Sequence, residues 1–272
     1  MKIRILTICI LLCLMPGLLL VSGCRKKSAS VQSITLAGST SVQSFAEEWA
    51  SNYMQKNPGC RVNVQGGGST AGVQAAISGV ADIGMTSRDL TAGEQKTLQK
   101  KVVAFDGIAV IVNPENKIDN LTEEQIQEIF SGKVTDWSKA GVGKGTINVV
   151  TREEGSGTRA SFQDMIMKKY KINAASMVQD SNGSVREMVS SDPNAIGYIS
   201  MDLVNDKVKA VSINGIAPTV ENVEKGEYET IRPFLFAYKK DISPAAQAFI
   251  DFVSSPEGKA LIKEEGLIPP SK

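Results

Sequence analysis

The sequence has 272 residues, of which 42% are apolar and 22% charged, a composition that suits one large or two modest globular domains. Its formal net charge is +1, so it offers no broad basic surface for nucleic acid. Histidine is absent, which excludes histidine-based catalytic triads and the usual zinc sites, and the sequence indicates no metal or cofactor.

Residues 1–23 have the features of a lipoprotein signal peptide. Two basic residues precede an apolar stretch from Ile5 to Val21, which Pro16-Gly17 interrupts, so the stretch is too short for a spanning helix. It ends at Val21-Ser22-Gly23-Cys24, which resembles a bacterial lipobox and implies cleavage before Cys24 and lipidation of its thiol. An ordinary secretory peptide is the alternative. Residues 24–32 are predicted to form a flexible linker.

From Ser33 onward, short apolar strands alternate with amphipathic helices, which predicts an α/β fold. The first part is predicted to contain strands at 34–37, 62–64, 82–85 and 102–112, and helices over 42–53, 73–77 and 94–101. The rest is predicted to contain helices after the capping box at 122–125, over 162–170 and from Ser243-Pro244, and strands at 147–150, 195–199, 208–213 and 234–238. The long strands at 102–112 and 234–238 flank the middle section, so we expect the chain to leave one lobe and later return to it.

Four loops rich in Gly, Ser and Thr each follow a predicted strand: Gly38–Ser41, Gly66–Thr70, Thr86–Asp89 and Gly155–Thr158. A helix N-terminus leaves backbone N–H groups unpaired and carries about half a positive charge. Glycine allows close approach of a ligand, and each hydroxyl adds a donor. The loops therefore predict oxyanion binding, and the alternative is that their serines are only helix N-caps.

Two of these loops also contain arginine. Arg88 and Arg152 could bind an oxyanion bidentately, and the alternative for either is a solvated surface side chain. We expect Glu153 or Glu154 to hold Arg152 through a salt bridge, and Arg159 to face solvent. The loop around Arg152 lacks the spacing and the lysine of a Walker motif, so nucleotide binding is not expected.

Several motifs follow one another along nearly the whole mature chain: Ala37-Gly38-Ser39-Thr40-Ser41, Gly67-Gly68-Ser69-Thr70-Ala71-Gly72, Asp82-Ile83-Gly84-Met85-Thr86-Ser87-Arg88, residues 121–137, Arg152–Thr158 and Ala195-Ile196-Gly197-Tyr198. In this order they resemble the phosphate-binding lipoproteins of bacterial phosphate ABC importers, within the type 2 periplasmic-binding-protein superfamily. The resemblance implies a two-lobed α/β fold with two hinge strands, near Val110–Asn113 and Arg232–Leu235. Lobe 1 is then expected at 33–111 with 233–272, and lobe 2 at 112–232.

The resemblance also implies a phosphate site between the lobes. Its candidate residues are Ser39, Thr40, Ser41, Ser69, Ser87, Arg88, Asp106, Arg152, Ser156, Gly157 and Thr158. Better-known members carry an aspartate in the third loop that accepts the proton of hydrogen phosphate and disfavours sulfate, and Ser87 stands at that position here. Asp106 is the candidate replacement and Asp89 the second. The alternative for Asp106 is a cap on a turn with Gly107.

The expected protein is a monomeric, non-catalytic binding protein without a cofactor. A lipid on Cys24 would hold it at the outer face of the cytoplasmic membrane, where a permease would receive the phosphate. Sulfate or a molybdate-like oxyanion is an alternative ligand. A secreted phosphohydrolase with a loop serine as nucleophile is an alternative function, although histidine and clustered acids for two metals are missing. A sensor or adhesion lipoprotein without a transporter is a third.

Overall fold

A computed structural model describes residues 31–141 and 143–270 of the chain. The predicted signal peptide, the lipidation site Cys24 and most of the linker at 24–32 therefore lie outside the described residues. Within the described ranges, no helix is both long enough and apolar enough to cross a membrane.

Strands and helices alternate through the described chain, as the hydrophobic pattern predicted. The strands are β1 (Gln32–Gly38), β2 (Cys60–Gly66), β3 (Ile83–Thr86), β4 (Gln99–Val112), β5 (Asn120–Leu121), β6 (Asn148–Arg152), β7 (Met177–Gln179), β8 (Ala195–Ser200), β9 (Lys209–Ile213) and β10 (Ile231–Tyr238). The α-helices are α1 (Thr40–Lys56), α2 (Ser69–Ser78), α3 (Glu123–Phe130), α4 (Gly157–Phe162), α5 (Asn182–Ser191), α6 (Val220–Glu224), α7 (Pro244–Ser254) and α8 (Pro256–Glu264).

The strands form one connected sheet in the order β2-β1-β3-β10-β4-β8-β6-β7, with β9 also paired to β4. Strand β1 runs parallel to β2 and β3, whereas β10 runs antiparallel to both β3 and β4. In the other half of the sheet, β6 runs parallel to β7 and β8. The carboxyl ends of parallel strands meet at one edge of a sheet, so the loops that follow β1, β2 and β3 are brought together.

The buried apolar side chains form two large hydrophobic cores. The first contains Phe45 and Trp49 of α1 and Phe236 of β10, and the Trp49 and Phe236 rings meet edge to face with centroids 5.8 Å apart. The second contains Phe162 of α4 and Tyr198 of β8, whose rings stack with centroids 4.0 Å apart. The expected two-lobed α/β fold is confirmed.

The chain passes between the two cores on the neighbouring strands β4 and β10. On β4, Ala104 belongs to the first core and Ile108 to the second. On β10, Ile231 packs against the second core and Phe234 lies in the first. Residues 110–112, which were expected near a hinge, are fully buried in the second core, so the passage on β4 comes several residues earlier in the chain.

The helix predicted over 94–101 is wrong. A 3-10 turn covers Glu94–Lys96, and β4 already begins at Gln99. The reason is a contact between distant parts of the chain, because Gln99 lies opposite Tyr238 and extends the antiparallel ladder with β10. Strand pairing at this point overrides the local helical pattern.

The helix predicted over 162–170 is shorter than expected. Helix α4 continues as a single π-helical turn, Gln163–Met167, and Lys168 ends it with a φ of 53°. A π-helical turn shifts the phase of the side chains, so Tyr170 lies beyond the helix instead of on its buried face.

Helix α2 lies unusually close to β1 and β3. A Cβ added at Gly72 would come 2.3 Å from the Ala37 carbonyl oxygen and 2.5 Å from the Gly38 Cα. A Cβ added at Gly84 would come 2.5 Å from the Gly72 carbonyl oxygen. These are backbone atoms that cannot rotate away, so glycine at these positions allows the N-terminus of α2 to lie against the edge of the sheet.

Replacing Gly72 with alanine tests this packing. We expect G72A to lower the free energy of unfolding by about 3 kcal/mol, because the new methyl group overpacks the contact with β1. Alanine favours a helix by about 1 kcal/mol over glycine, so a loss would have to come from packing. Urea unfolding followed by circular dichroism measures the change.

The matched control is G183A in α5, where an added Cβ would meet only the Ser181 Oγ, at 3.8 Å. We expect its stability to equal or exceed that of the unmodified protein. If G72A is as stable as G183A, the close approach of α2 to the sheet is not required.

Candidate functional site

The serines of the first three loops meet at the edge of the sheet. Ser39 Oγ donates a hydrogen bond to Ser87 Oγ at 2.9 Å, and the Oγ atoms of Ser69 and Ser87 are hydrogen-bonded at 3.3 Å. The backbone N–H of Ser87 also donates to Ser69 Oγ at 3.0 Å. All three side chains are fully buried. The parallel strands thus bring together hydroxyls that are far apart in the sequence.

The fourth loop, which packs with the second core, closes over these hydroxyls. Ser41 Oγ and Thr158 Oγ1 are hydrogen-bonded at 3.0 Å, although the two residues are 117 positions apart. A Cβ added at Gly157 would lie 2.2 Å from Ser69 Oγ and 2.5 Å from Ser87 Oγ. The loops of the two lobes are therefore in direct contact, and Gly157 permits that contact.

Helix N-capping accounts for some of the hydrogen bonds that the loop serines make. Ser39 Oγ accepts from the Ser41 N–H, and Ser156 Oγ accepts from the Arg159 N–H, each at 3.2 Å, so both are N-caps. Ser69 is not a cap, because Gly68 occupies that position and Ser69 is the first residue of α2. The alternative that these serines are only caps therefore fits Ser156, whereas Ser39 is a cap that also contacts Ser87, and Ser69 is not a cap.

Hydrogen bonds hold two of the three guanidinium nitrogens of Arg152, which lies at the end of β6. Its Nε and Nη2 donate to the two carboxylate oxygens of Glu153 at 2.9 and 3.0 Å, the salt bridge that the sequence indicated. Nη2 also donates to the Asp180 carbonyl oxygen at 3.0 Å. The side chain is 1% exposed, and its Nη1 has no hydrogen-bond partner among the described residues.

Arg232 is a second buried arginine, which sequence reasoning missed. It lies on β10, where its Nη2 donates to Ser41 Oγ and to Asp106 Oδ2, both at 3.0 Å. Burial lowers its pKa, and the negative charge of Asp106 opposes that change. Its Nη1 lacks a partner within the described structure. A cation directly before Pro233 in an otherwise apolar strand was the available sequence signal.

Asp106 is the carboxylate beside these arginines. Its Oδ2 accepts from Arg232 Nε at 3.1 Å and from Ser200 Oγ at 2.6 Å, and its Oδ1 is buried without a partner in the part of the chain described. Burial raises its pKa, and the Arg232 charge opposes that rise. Asp89, the second candidate, is instead exposed and pairs with Lys100, so it does not lie in this cluster.

Two arginines lie differently from what the sequence suggested. Arg88 was a candidate ligand residue, but both of its terminal nitrogens donate to the Glu94 carboxylate at 2.9 Å. Its Nη2 also donates to Thr70 Oγ1 at 3.5 Å. Arg159 was expected to face solvent, but its Nη1 donates to the Arg152 carbonyl oxygen at 2.6 Å and the side chain is half-buried.

Asn182, the first residue of α5, links the first loop to the second lobe. Its Nδ2 donates to Thr40 Oγ1 at 3.2 Å and to Ser41 Oγ at 2.9 Å. Its Oδ1 accepts from the Ser200 N–H at 3.2 Å, which fixes the orientation of the amide. The sequence contained no recognised signal for this residue, because its partners belong to distant parts of the chain.

The structure therefore brings together most of the predicted residues in one enclosed cluster. Hydrogen bonds and close contacts join Ser39, Thr40, Ser41, Ser69, Ser87, Asp106, Gly157 and Thr158, with Arg232 and Asn182 in addition. The buried side chains of Arg152 and Ser156 belong to the strand end and loop that lead to Gly157. Buried polar atoms nearly always have hydrogen-bond partners, so two guanidinium nitrogens and a carboxylate oxygen that have none among the described residues point to a ligand. Within the described ranges, no group of acidic or cysteine side chains is arranged to hold a metal ion.

Comparison with protein families shows independently which family this chain belongs to. A family model described as a PBP superfamily domain matches residues 25–257. The phosphate-binding protein PstS of Bacillus subtilis is 32% identical over 249 residues, which span 87% of this chain and 80% of that protein. The phosphate-binding protein PstS of Borreliella burgdorferi is 28% identical over 272 residues, which span 95% of this chain and 97% of that protein.

Solved structures of phosphate transport proteins are also similar to this chain. A phosphate ABC transporter substrate-binding protein with bound phosphate from Clostridium perfringens matches with a TM-score of 0.85 and 38% identity, over 88% of this chain and 100% of that one. An ABC-type phosphate transport receptor from Vibrio cholerae matches with a TM-score of 0.73 and 40% identity, over 87% of this chain and 100% of that one.

Removal of Arg232 tests the buried ion pair. We expect R232M to lower the free energy of unfolding by about 3–5 kcal/mol at neutral pH, because Asp106 is left as an unpaired buried carboxylate. This loss of stability should shrink as the pH falls toward the ordinary aspartate pKa of about 3.9, because Asp106 then becomes protonated in the unfolded as well as the folded state of R232M. Urea unfolding across this pH range measures it.

Two further variants complete this test. K225M removes an exposed partner of Glu221 and should change stability little at any pH. The double variant D106L/R232M should recover most of the lost stability, because no buried charge is left unpaired. A loss in R232M that does not depend on pH would assign the effect to packing and not to charge.

Proposed function

Because the chain belongs to the PBP superfamily, and within it to the PstS-type phosphate-binding proteins, we propose that it captures inorganic phosphate between its two lobes and delivers it to the permease of an ABC importer. Its relatives are named as binding and transport proteins, and the role proposed for this chain is binding without catalysis. The observation that carries the proposal is the set of buried polar atoms, where the two lobes meet, that have no hydrogen-bond partner in the described part of the chain.

The charges of the cluster suit an oxyanion that carries a proton. The free nitrogens of Arg152 and Arg232 would donate to the phosphate oxygens, and the free oxygen of Asp106 would accept the proton of hydrogen phosphate. Each charge-assisted hydrogen bond contributes about 1.5–3 kcal/mol, and about 8 kcal/mol corresponds to micromolar affinity. Several such bonds, with the loop hydroxyls and the N-termini of α1, α2 and α4, would therefore support micromolar or tighter binding.

In this proposal Asp106 takes the role that a third-loop aspartate has in better-known members. Sulfate has no proton near neutral pH, so it would leave Asp106 facing an unprotonated oxygen. Ser87, which stands in the third loop, would serve as a hydroxyl donor. Arg88 is not included among the proposed ligand residues, because Glu94 holds its guanidinium.

We propose that the lobes move about the two strands that connect the cores. Lobe 1 would comprise residues 33 to about 106 with 233–272, and lobe 2 the residues between, which places the hinges beside Asp106 and Arg232. The contact of Ser41 with Thr158 corresponds to a closed arrangement of the lobes. Closure over phosphate would be the change that the permease recognises.

The proposed site of action is outside the cytoplasm. Residues 1–23 would direct export, and a lipid on Cys24 would hold a monomeric protein at the outer face of the cytoplasmic membrane. Metabolic labelling with a palmitate analogue in the native host tests the anchor. The label should be lost in C24A, and a label that persists in C24A would contradict lipidation of this cysteine.

Calorimetry of the mature protein with phosphate, arsenate, sulfate and molybdate tests the function. We expect phosphate and arsenate to bind with micromolar or tighter affinity and sulfate far more weakly, because only the first two carry a proton for Asp106. Absence of phosphate binding would contradict the proposed function. Release of product from a chromogenic phosphate ester would favour the phosphohydrolase instead.

Substitution of Arg152 by lysine tests the arginine contact without removing the charge. We expect R152K to weaken phosphate binding about 10- to 100-fold, because lysine cannot place a nitrogen at Nη1 while it also keeps the bonds to Glu153. The control is R88K, which changes the arginine that faces Glu94 and should leave phosphate affinity unchanged. Equal affinity loss in the two variants would contradict this assignment.

Substitution of Asp106 by asparagine tests the discrimination against sulfate. We expect D106N to lose about tenfold or more of the preference for phosphate over sulfate, because the amide can donate to an unprotonated oxygen. D89N is the matched control and should keep the preference, since Asp89 pairs with Lys100 at the surface. An unchanged ratio of affinities in folded D106N would remove Asp106 from the site.

A further inference from the structure

Several hydrogen bonds join the two lobes directly, and no anion takes part in them. Asn182, the first residue of α5 in the second lobe, donates from its Nδ2 to Thr40 Oγ1 at 3.2 Å and to Ser41 Oγ at 2.9 Å. Both acceptors lie in the first turn of α1, in the first lobe. The Ser200 N–H donates to Asn182 Oδ1 at 3.2 Å, so the amide keeps its donor side toward the first lobe.

Ser161 of α4 makes a second contact of this kind. Its Oγ donates to the Ser87 carbonyl oxygen at 3.1 Å, and both residues are buried. The neighbours of the two residues show that this bond crosses between the lobes, because Phe162 lies in the second hydrophobic core and Met85 in the first. The bond therefore ties the third loop of the first lobe to a helix of the second.

A third contact is made by the backbone alone. The Thr70 N–H, in the first turn of α2, donates to the Gly155 carbonyl oxygen of the fourth loop at 3.0 Å. The N–H groups of a first helical turn have no partner within the helix. At Thr70 the opposite lobe supplies that partner, so this donor serves the contact between the lobes and not a ligand.

These contacts use different atoms from those that are left for an anion. The buried atoms at the site without a hydrogen-bond partner in the described part of the chain are Arg152 Nη1, Arg232 Nη1 and Asp106 Oδ1. Neither Asn182 nor Ser161 contributes such an atom, because their donors are already directed at the first lobe. One set of groups therefore holds the lobes together, and another set is left for the ligand.

We propose that Asn182 and Ser161 are positioning residues that form a latch between the lobes, and that this latch favours closure whether or not an anion is bound. The proposal rests on the function given above. The latch bonds require the lobes to be closed, and in an open arrangement water would replace them. A contact made only in the closed arrangement shifts the equilibrium toward closure, and the anion supplies the remaining free energy.

The latch should act on all anions alike. Because neither side chain is directed at the ligand, losing one weakens phosphate and sulfate binding by the same factor, unlike a change at Asp106. The loss should appear as faster dissociation, because the lobes must open before an enclosed anion can leave. The anion enters the open arrangement, so the association rate should change little.

The first test measures anion binding to the unmodified mature protein and to N182A, S161A and the double variant. Calorimetry gives the dissociation constants for phosphate and sulfate, and stopped-flow fluorescence gives the rate of phosphate release. We expect each single variant to weaken binding about 3- to 10-fold, which corresponds to the usual net contribution of a hydrogen bond. In the double variant the two factors should multiply, since the two contacts share no partner.

The control is S131A, which removes a hydroxyl that donates to the Glu128 carbonyl oxygen within the second lobe, at 3.2 Å. It should bind and release phosphate as the unmodified protein does. S161A leaves no donor unpaired, so it decides the matter even if N182A, which frees the Ser200 N–H, does not fold. Unchanged phosphate affinity in S161A would overturn the proposal. A changed ratio of phosphate to sulfate affinity would also overturn it, because it would indicate direct contact with the anion.

A second measurement needs no ligand. Small-angle X-ray scattering in phosphate-free buffer compares the unmodified protein with S161A and the double variant. We expect a larger radius of gyration for the variants, because their lobes are open for more of the time, and one common radius at saturating phosphate. Equal radii without phosphate would overturn the proposal. If the unmodified protein binds no phosphate, the proposed function fails, whereas the radii without ligand still decide whether the latch exists.

Discussion

The buried pair of Arg232 and Asp106 is the interaction on which the arrangement of this protein depends. It joins the two strands that connect the lobes, at the point where each strand leaves one hydrophobic core for the other. A lone buried charge at this point would cost several kcal/mol, so each member requires the other. Because Arg232 also donates to Ser41, the same pair ties the connection between the lobes to the loop that begins α1.

The sheet explains why a binding site forms beside that pair. Parallel strands deliver the loops of the first lobe to one edge, and Gly38 of β1, Gly72 of α2 and Gly84 of β3 allow those loops to approach closely. The second lobe adds Arg152 and the start of α4 from the opposite side. Charged groups therefore come from the second lobe and from the connection between the lobes, while the loop hydroxyls of both lobes act as neutral donors.

Local sequence patterns predicted most of the alternating strands and helices and the loops, because hydrophobic periodicity and glycine-rich composition act over a few residues, but they failed over 94–101, where strand pairing decides the structure. They could not identify Arg232 and Asn182, whose partners Asp106 and Ser41 lie 126 and 141 positions away. The pairing of Arg88 with Glu94 was not foreseen for a related reason. Composition places a guanidinium in a loop, but Glu94, which follows six residues later, decides the direction in which it points.

The contact between Ser41 and Thr158 has a consequence for how selectivity arises. The hydroxyls of the two lobes already satisfy one another, and Ser39 and Ser87 do the same within the first lobe. Any ligand that enters must exchange these bonds for new ones, so the neutral donors contribute little net free energy to the choice between anions. Discrimination between anions therefore depends on the few ionised atoms that have no hydrogen-bond partner among the described residues. The gain or loss of one proton at these atoms changes which anion the site prefers.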